Sequence, residues 1–142
     1  MDSQRQAAIQ ARVAAIPIAA TLGMRGLALE DGLCEMVVPR HRQYDGVFES
    51  FHGGLLMTIA DSAACFAVLT LTGAEQTLTT TDMNIRFLAP CLTDVRARAR
   101  VIKRGRTLCP VAVDLFDANG TLVAIAQVTY MLLGGMPSRR PT

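Results

Sequence analysis

Residues 53–72 are apolar almost without interruption, and a single carboxylate, Asp61, sits inside them. The stretch opens on His52-Gly53-Gly54 and closes at Thr72-Gly73, a start and a stop for one long helix. It is about the length of a bilayer span. Asp61 falls near its middle, however, where an acid costs on the order of 3 kcal/mol even on insertion scales, and no Lys or Arg flanks it closely. The favoured expectation is a helix that is apolar on nearly all sides because a sheet wraps around it.

Two glycines at a helix start leave backbone N–H groups bare. With the positive end of the helix dipole, those groups suit a negative charge developing on a carbonyl oxygen. A lone Asp in apolar surroundings is expensive unless something uses or satisfies it. Gly53, Gly54 and Asp61 together point to acyl transfer or hydrolysis built on one helix. Tight-turn geometry explains the glycines equally well, and a bond to Thr58 or Ser62 would satisfy the acid.

The rest of the chain supplies the sheet. Residues 3–16 have helical spacing and stop near Pro17. They carry Arg5 and Arg12 without an acid, a pattern also seen in transit peptides, but an ordinary N-terminal helix is expected. Residues 22–29 and 33–38 predict two short strands around Glu30-Asp31-Gly32. A polar, irregular loop spans 39–51. Strands follow at 77–88, 93–104, 107–117 and 121–133. The second alternates Val95, Ala97, Ala99 and Val101 with Arg96, Arg98 and Arg100, a clean period of two. In the first, Thr79, Thr81, Met83, Ile85 and Phe87 are expected on one face and Thr80, Asp82, Asn84 and Arg86 on the other. Asn119-Gly120 predicts a two-residue hairpin turn. The outcome is an α+β layer, one helix held by one curved antiparallel sheet. Residues 1–20 are assigned to an N-terminal helical segment, 21–133 to the domain and 134–142 to a flexible tail.

The helix cannot complete a site alone. Asp61 lies eight residues after Gly53, roughly 12 Å along the axis at 1.5 Å per residue. A reacting carbon must sit about 3 Å from both an oxyanion donor and the attacking group. Two antiparallel copies satisfy this, so a two-fold dimer with two shared sites is expected. Strand 77–88 would join the two sheets into one.

Composition narrows the partners. Charged residues are only 18% of the 142, which suits a chain that hides surface in an oligomer, and the net charge of +2 gives no case for nucleic acid. Cys34, Cys65, Cys91 and Cys109 show neither metal-ligand spacing nor a disulfide framework, so reduced thiols in a cytoplasm are expected and a zinc site is not. The N-terminus, with Asp2 and no basic region before an apolar core, does not read as a secretory signal.

The ordered set of motifs resembles a known family. His52-Gly53-Gly54, Asp61 nine residues after the His, Thr80-Thr81-Asp82-Met83-Asn84-Ile85-Arg86-Phe87-Leu88-Ala89-Pro90, Val101-Ile102-Lys103-Arg104-Gly105-Arg106-Thr107 and the run from Asp117 to Ala124 are similar to the hotdog-fold acyl-CoA thioesterases of the PaaI-like, phenylacetic-acid-pathway group. The likeness covers about residues 20–133. It implies a hotdog fold, a long central helix in a curved antiparallel sheet that dimerises through the sheet, and often a homotetramer built as a dimer of dimers. It also implies hydrolysis of acyl-CoA, with coenzyme A as part of the substrate and no other cofactor.

By the same resemblance, the Gly53 N–H polarises the thioester carbonyl, and His52 is the histidine that precedes it. Asp61 is general base or nucleophile, and Thr80 falls where some members place a hydroxyl beside the attacking water. Gly46 stands where the family usually has Asn, leaving Asp45, Ser50 or a backbone group to replace that contact. Arg86, Arg104 and Arg106 are candidates for the CoA phosphates, since guanidinium pairs with phosphate bidentately; solvated strand ends explain them as well. Phe48 and Met57, with Phe51 and Phe66, are candidates for an acyl pocket against a default of core packing. The competing readings are a hotdog hydratase or dehydratase using His52 as base, and a non-catalytic acyl-CoA binding module.

Overall fold

The computed structural model describes residues 1–134, so the expected tail beyond Gly134 lies outside the described residues. Two helices, α1 (Ser3–Ala14) and α2 (Pro17–Leu22), precede strands β1 (Arg25–Glu30) and β2 (Leu33–Val38). The long helix α3 (Gly53–Thr72) follows, then β3 (Leu78–Phe87), β4 (Val95–Val101), β5 (Leu108–Asp117) and β6 (Leu122–Leu132). The six strands form one antiparallel sheet in the order β1-β2-β4-β5-β6-β3.

The sheet curls around α3, which packs chiefly across β2, β4 and β5. Ile59, Ala60, Ala63, Ala64, Ala67 and Val68 are fully buried. The alanines let the helix approach strands that are themselves lined by Ala97, Ala99, Val111 and Val113, all likewise buried. Each large side chain enclosed this way, such as Ile59, contributes about 1.5–3 kcal/mol. The helix is long and apolar enough to cross a bilayer by composition, yet the sheet supplies its apolar surroundings. On β4 the alternation holds: Val95, Ala97 and Ala99 face the helix, and Arg96, Arg98 and Arg100 face out.

The N-terminal segment departs from expectation. Pro17 does not merely stop a helix; it occupies the first turn of a second one, where its fixed φ and missing N–H are tolerated. That helix ends at Gly23, whose φ of 72° is left-handed, so the strand expected over 22–29 begins only at Arg25. Arg5 and Arg12 of α1 reach the far end of α3. Arg5 donates to the Thr70 carbonyl at 3.0 Å, and Arg12 donates to the carbonyls of Ala74 and Gln76. Cations belong there, at the negative end of a helix dipole with open carbonyls.

Thr70 joins the same end of α3 to the β1–β2 turn. It is fully buried, accepts the Gly32 N–H at 2.7 Å and donates to the Ala67 carbonyl at 2.6 Å. Thr70→Val keeps the shape and strands that amide. The expected loss is about 1–3 kcal/mol of stability, read from urea unfolding midpoints at unchanged slope.

Two turns of the sheet differ from their expected form. The β5–β6 loop is longer than the two residues expected: Asp117 N–H donates to the Thr121 carbonyl, enclosing residues 118–120, and Gly120 takes the left-handed position at φ 83°. The Asp117 carboxylate accepts from the amides of Asn119 and Thr121 and favours this longer loop. In β3, the pairing with β6 slips between Thr80 and Asp82, leaving Thr81 as a bulge. The bulge puts Leu78 and Thr80 on the same face as Met83 and Ile85, so Thr80 turns toward α3 instead of sharing the outer face with Asp82.

Candidate active site

The mouth of α3 is set by a loop folded back on itself. Asp45 and Phe51 bridge across it, the Gly46 N–H donates to the Ser50 carbonyl at 2.9 Å, and Glu49 closes it with a left-handed φ of 57°. Arg40 anchors the base, donating to Asp45 at 2.6 and 3.1 Å and to the Glu49 and Leu92 carbonyls. Those bonds hold the Asp45 carboxyl below the usual carboxylate range. Asp45 is therefore held by Arg40 at the base of the loop. Gly46 itself lies against His52, with its Cβ direction 3.8 Å from the His52 Cα.

His52 is the N-cap of α3. Its Nδ1 accepts the Gly54 N–H at 2.9 Å, so a neutral ring carries its proton on Nε2. A Cβ at position 54 would stand 3.1 Å from the ring, so glycine lets the imidazole lie against the backbone. The amides of Leu55 and Leu56 both donate to the His52 carbonyl at 3.0 Å. A helix start leaves four amides open. Among the described residues, Gly53 alone of these four keeps no partner.

Two open grooves flank that amide. One of about 390 Å³ is lined by Ser50, Gly53, Phe87, Leu88 and Pro90. The other, of about 540 Å³, runs between α2 and α3 along Ile18, Leu22, Tyr44 and Leu55, with His52 and Gly54 at its end.

Asp61 lies further along the helix, half-buried, on the face with Gly54, Thr58 and Cys65 that the sheet leaves uncovered. Its Oδ1 accepts from Thr80 Oγ1 at 2.7 Å and from the Tyr130 hydroxyl at 2.8 Å. Thr80 and Tyr130 are directly opposite each other on β3 and β6. No protein group among the described residues donates to Oδ2. Burial pushes the Tyr130 hydroxyl pKa well up, with Cys65 and Asp61 adding to it, so this group stays a donor. Burial likewise pushes the Cys65 thiol up to about 11, so it remains protonated beside the carboxylate. Tyr130 is the residue that sequence reasoning passed over. Its inward position in β6 follows from alternation, but alternation alone reads it as core.

The Thioesterase superfamily profile matches residues 48–124, a span that holds both the helix mouth and Asp61. The chain belongs to the thioesterase superfamily. It is a thioester hydrolase with the hotdog fold. The chain is 35% identical to human acyl-coenzyme A thioesterase 13 over 104 residues, covering 70% of this chain and 71% of that protein. It is also similar to a thioesterase family protein from Silicibacter pomeroyi at a TM-score of 0.83 and 28% identity, covering 91% of this chain and 98% of that one. The E. coli PaaI protein of the phenylacetic acid degradation operon shares the fold at a TM-score of 0.84 and 20% identity, over 93% and 95% of the two chains.

In this thioesterase the other candidate residues are dispersed. Met57 is half-buried on α3 and Phe66 is core, whereas Phe51, mostly buried, also lines the groove beside Gly53. Phe48 is 90% exposed at the tip of the 46–50 loop and lines neither of the two grooves, because the loop's internal bonds hold the tip outward. Arg86 is exposed near the mouth end of β3, next to Phe87. Arg104 and Arg106 lie in the β4–β5 turn. β4 carries that turn to the β1–β2 turn and Thr70, the opposite end of α3 from Gly53. The structure does not bring these two arginines to the helix mouth of their own subunit. A 20-residue helix, about 30 Å at 1.5 Å per residue, intervenes.

Proposed function

We propose that the protein hydrolyses acyl-CoA thioesters at sites shared between two antiparallel subunits. One observation carries this reading. A single helix bears both an unpartnered amide at its mouth, on Gly53, and a carboxylate with a free oxygen on its uncovered face, on Asp61, too far apart to act together within one chain. In a two-fold pair, Asp61 meets Gly53 of the partner subunit.

The substrate carbonyl oxygen then accepts the Gly53 amide, aided by the helix dipole. Asp61 Oδ2 either takes a proton from water, whose oxygen attacks the carbonyl carbon, or attacks that carbon itself to form a mixed anhydride that water cleaves. In both routes the C–S bond breaks with its electron pair on sulfur, and CoA departs as a thiolate. The α2–α3 groove supplies an apolar berth for the acyl group, and the groove beside Phe87 suits the thiol-bearing arm.

The pairing we infer runs through β3. Among the described residues its outer edge has no neighbour in the sheet, Met83 and Ile85 on its inner face are only half-buried, and Phe87 is 53% exposed. A ten-residue open edge strand of this kind is a template for another chain. A further association on the back of the sheet, where Leu108 and Ile125 are exposed, makes a dimer of dimers. The four free cysteines support a cytoplasmic setting.

A hydratase would need a base beside the carbon next to the carbonyl. His52 is the only histidine at the mouth, and its Nδ1 lone pair is spent on Gly54. A binding module would need no Asp61.

The shared site is tested by mixing two variants, Gly53→Pro and Asp61→Ala, each lacking one half of it. After dissociation and reassociation, half the dimers are mixed and each has one intact site of two. Recovery to about one quarter of wild-type thiol release is expected. Inactive parents that recover nothing when mixed, although mixed dimers form, would overturn the shared site.

A further inference from the structure

We infer that Tyr130 is a positioning residue for hydrolysis, fixing the Asp61 carboxylate so that Oδ2 faces the thioester. The inference rests on the reading of Asp61 as the hydrolytic carboxylate, and it adds a residue that the resemblance did not supply. The Tyr130 oxygen stands 2.8 Å from Oδ1 and 2.9 Å from the Asp61 backbone carbonyl. A hydroxyl has one hydrogen. The carbonyl lies inside α3 and already accepts within the helix, whereas a carboxylate takes the stronger, charge-assisted bond. Tyr130 therefore gives its one hydrogen to Oδ1 and fixes where that oxygen points, with the backbone carbonyl 2.9 Å away as the alternative acceptor.

Thr80 adds the second donor to the same oxygen at 2.7 Å. Two donors on Oδ1 leave Oδ2 as the basic, nucleophilic oxygen. They also define the plane of the carboxylate, since both strands are fixed by the paired register at Thr80 and Tyr130. Tyr130 is 5% exposed, so water does not readily replace its hydroxyl.

The other groups facing this carboxylate are few. Cys65 lies one turn on in α3 as a protonated thiol, and Arg12 of α1 is the cation whose field reaches Cys65. Tyr130 on β6 and Thr80 on β3 complete the set. The two donors are thus the groups that fix how the carboxylate is presented.

The test is Tyr130→Phe, which keeps the ring and deletes the hydroxyl. Expected is a fall in kcat of about ten- to a hundredfold with KM within twofold of wild type. Thr80→Val removes the companion donor and should likewise lower kcat at unchanged KM; the double variant should lose more than either alone. Unfolding midpoints of all variants separate folding from function. Wild-type kcat in Tyr130→Phe would overturn the inference, as would a loss that only follows the fraction of folded protein or comes with a raised KM, the mark of packing alone. If Asp61→Ala keeps wild-type turnover, the hydrolytic reading itself fails. If Asp61→Ala is dead and Tyr130→Phe is not affected, only the role of Tyr130 falls.

Discussion

Asp61→Ala will lower acyl-CoA hydrolysis by about three orders of magnitude, within the range for loss of a positioned general base. The effect should appear in kcat, because in the proposed mechanism the carboxylate acts on water or on the carbonyl carbon and makes no contact that holds substrate in the ground state. The fold should survive. Asp61 is half-buried on the face the sheet leaves open, and its removal deprives Thr80 and Tyr130 of one shared acceptor. Tyr130 keeps the backbone carbonyl of residue 61 within reach. Thiol release from acetyl-, octanoyl-, palmitoyl- and phenylacetyl-CoA, with sedimentation to follow association, gives the measurement. A variant that still turns over any of these at the wild-type rate would falsify the assignment of Asp61.

The second large effect is expected at Gly53. Gly53→Pro deletes the one open amide while changing little else. Position 53 is the first of α3, where proline is well accommodated. His52 before it has φ −59° and ψ 128°, the extended conformation that a following proline requires. Loss of a single oxyanion donor costs on the order of 10²–10³ in kcat, or about 3–4 kcal/mol of transition-state stabilisation. Gly53→Ala is the control: it keeps the N–H and adds a Cβ 3.1 Å from Phe87 Cζ, the far end of an exposed side chain that can swing aside. Alanine at 53 should retain activity within a few-fold. Equal losses in the proline and alanine variants would assign the effect to crowding and remove the amide from the mechanism.

Much of this architecture was legible before any coordinates. α3 announced itself by His52-Gly53-Gly54 at one end and Gly73 at the other, and the structure places it at Gly53–Thr72. β4 was legible because one face is arginine and the other Val or Ala. The physical reason is the same in both: a long buried element needs unbroken apolar surface, and a half-buried strand needs a period of two. α2 was not legible, because six residues starting at a proline look like a stop and give too short a window for helical periodicity. The inward turn of Thr80 was hidden for a different reason. Three consecutive threonines carry no contrast between faces, so an extra residue among them leaves no mark on the pattern. Tyr130 was hidden by its surroundings, since an inward Tyr among Val and Ala has the signature of packing until its hydroxyl is seen beside a carboxylate.

The supernumerary residue in β3 works as a change of parity along the strand. Upstream of Thr81, even-numbered side chains look inward; downstream, odd-numbered ones do. One strand thereby offers a hydroxyl to the central helix near its beginning and apolar groups near its end, a combination that strict alternation at this spacing forbids. Removing a single residue between Thr80 and Asp82 would restore ordinary alternation. Either the hydroxyl or Met83 and Ile85 would then be turned to solvent. Transplanting this carboxylate-and-hydroxyl pair onto another sheet therefore requires copying the irregularity along with the side chains.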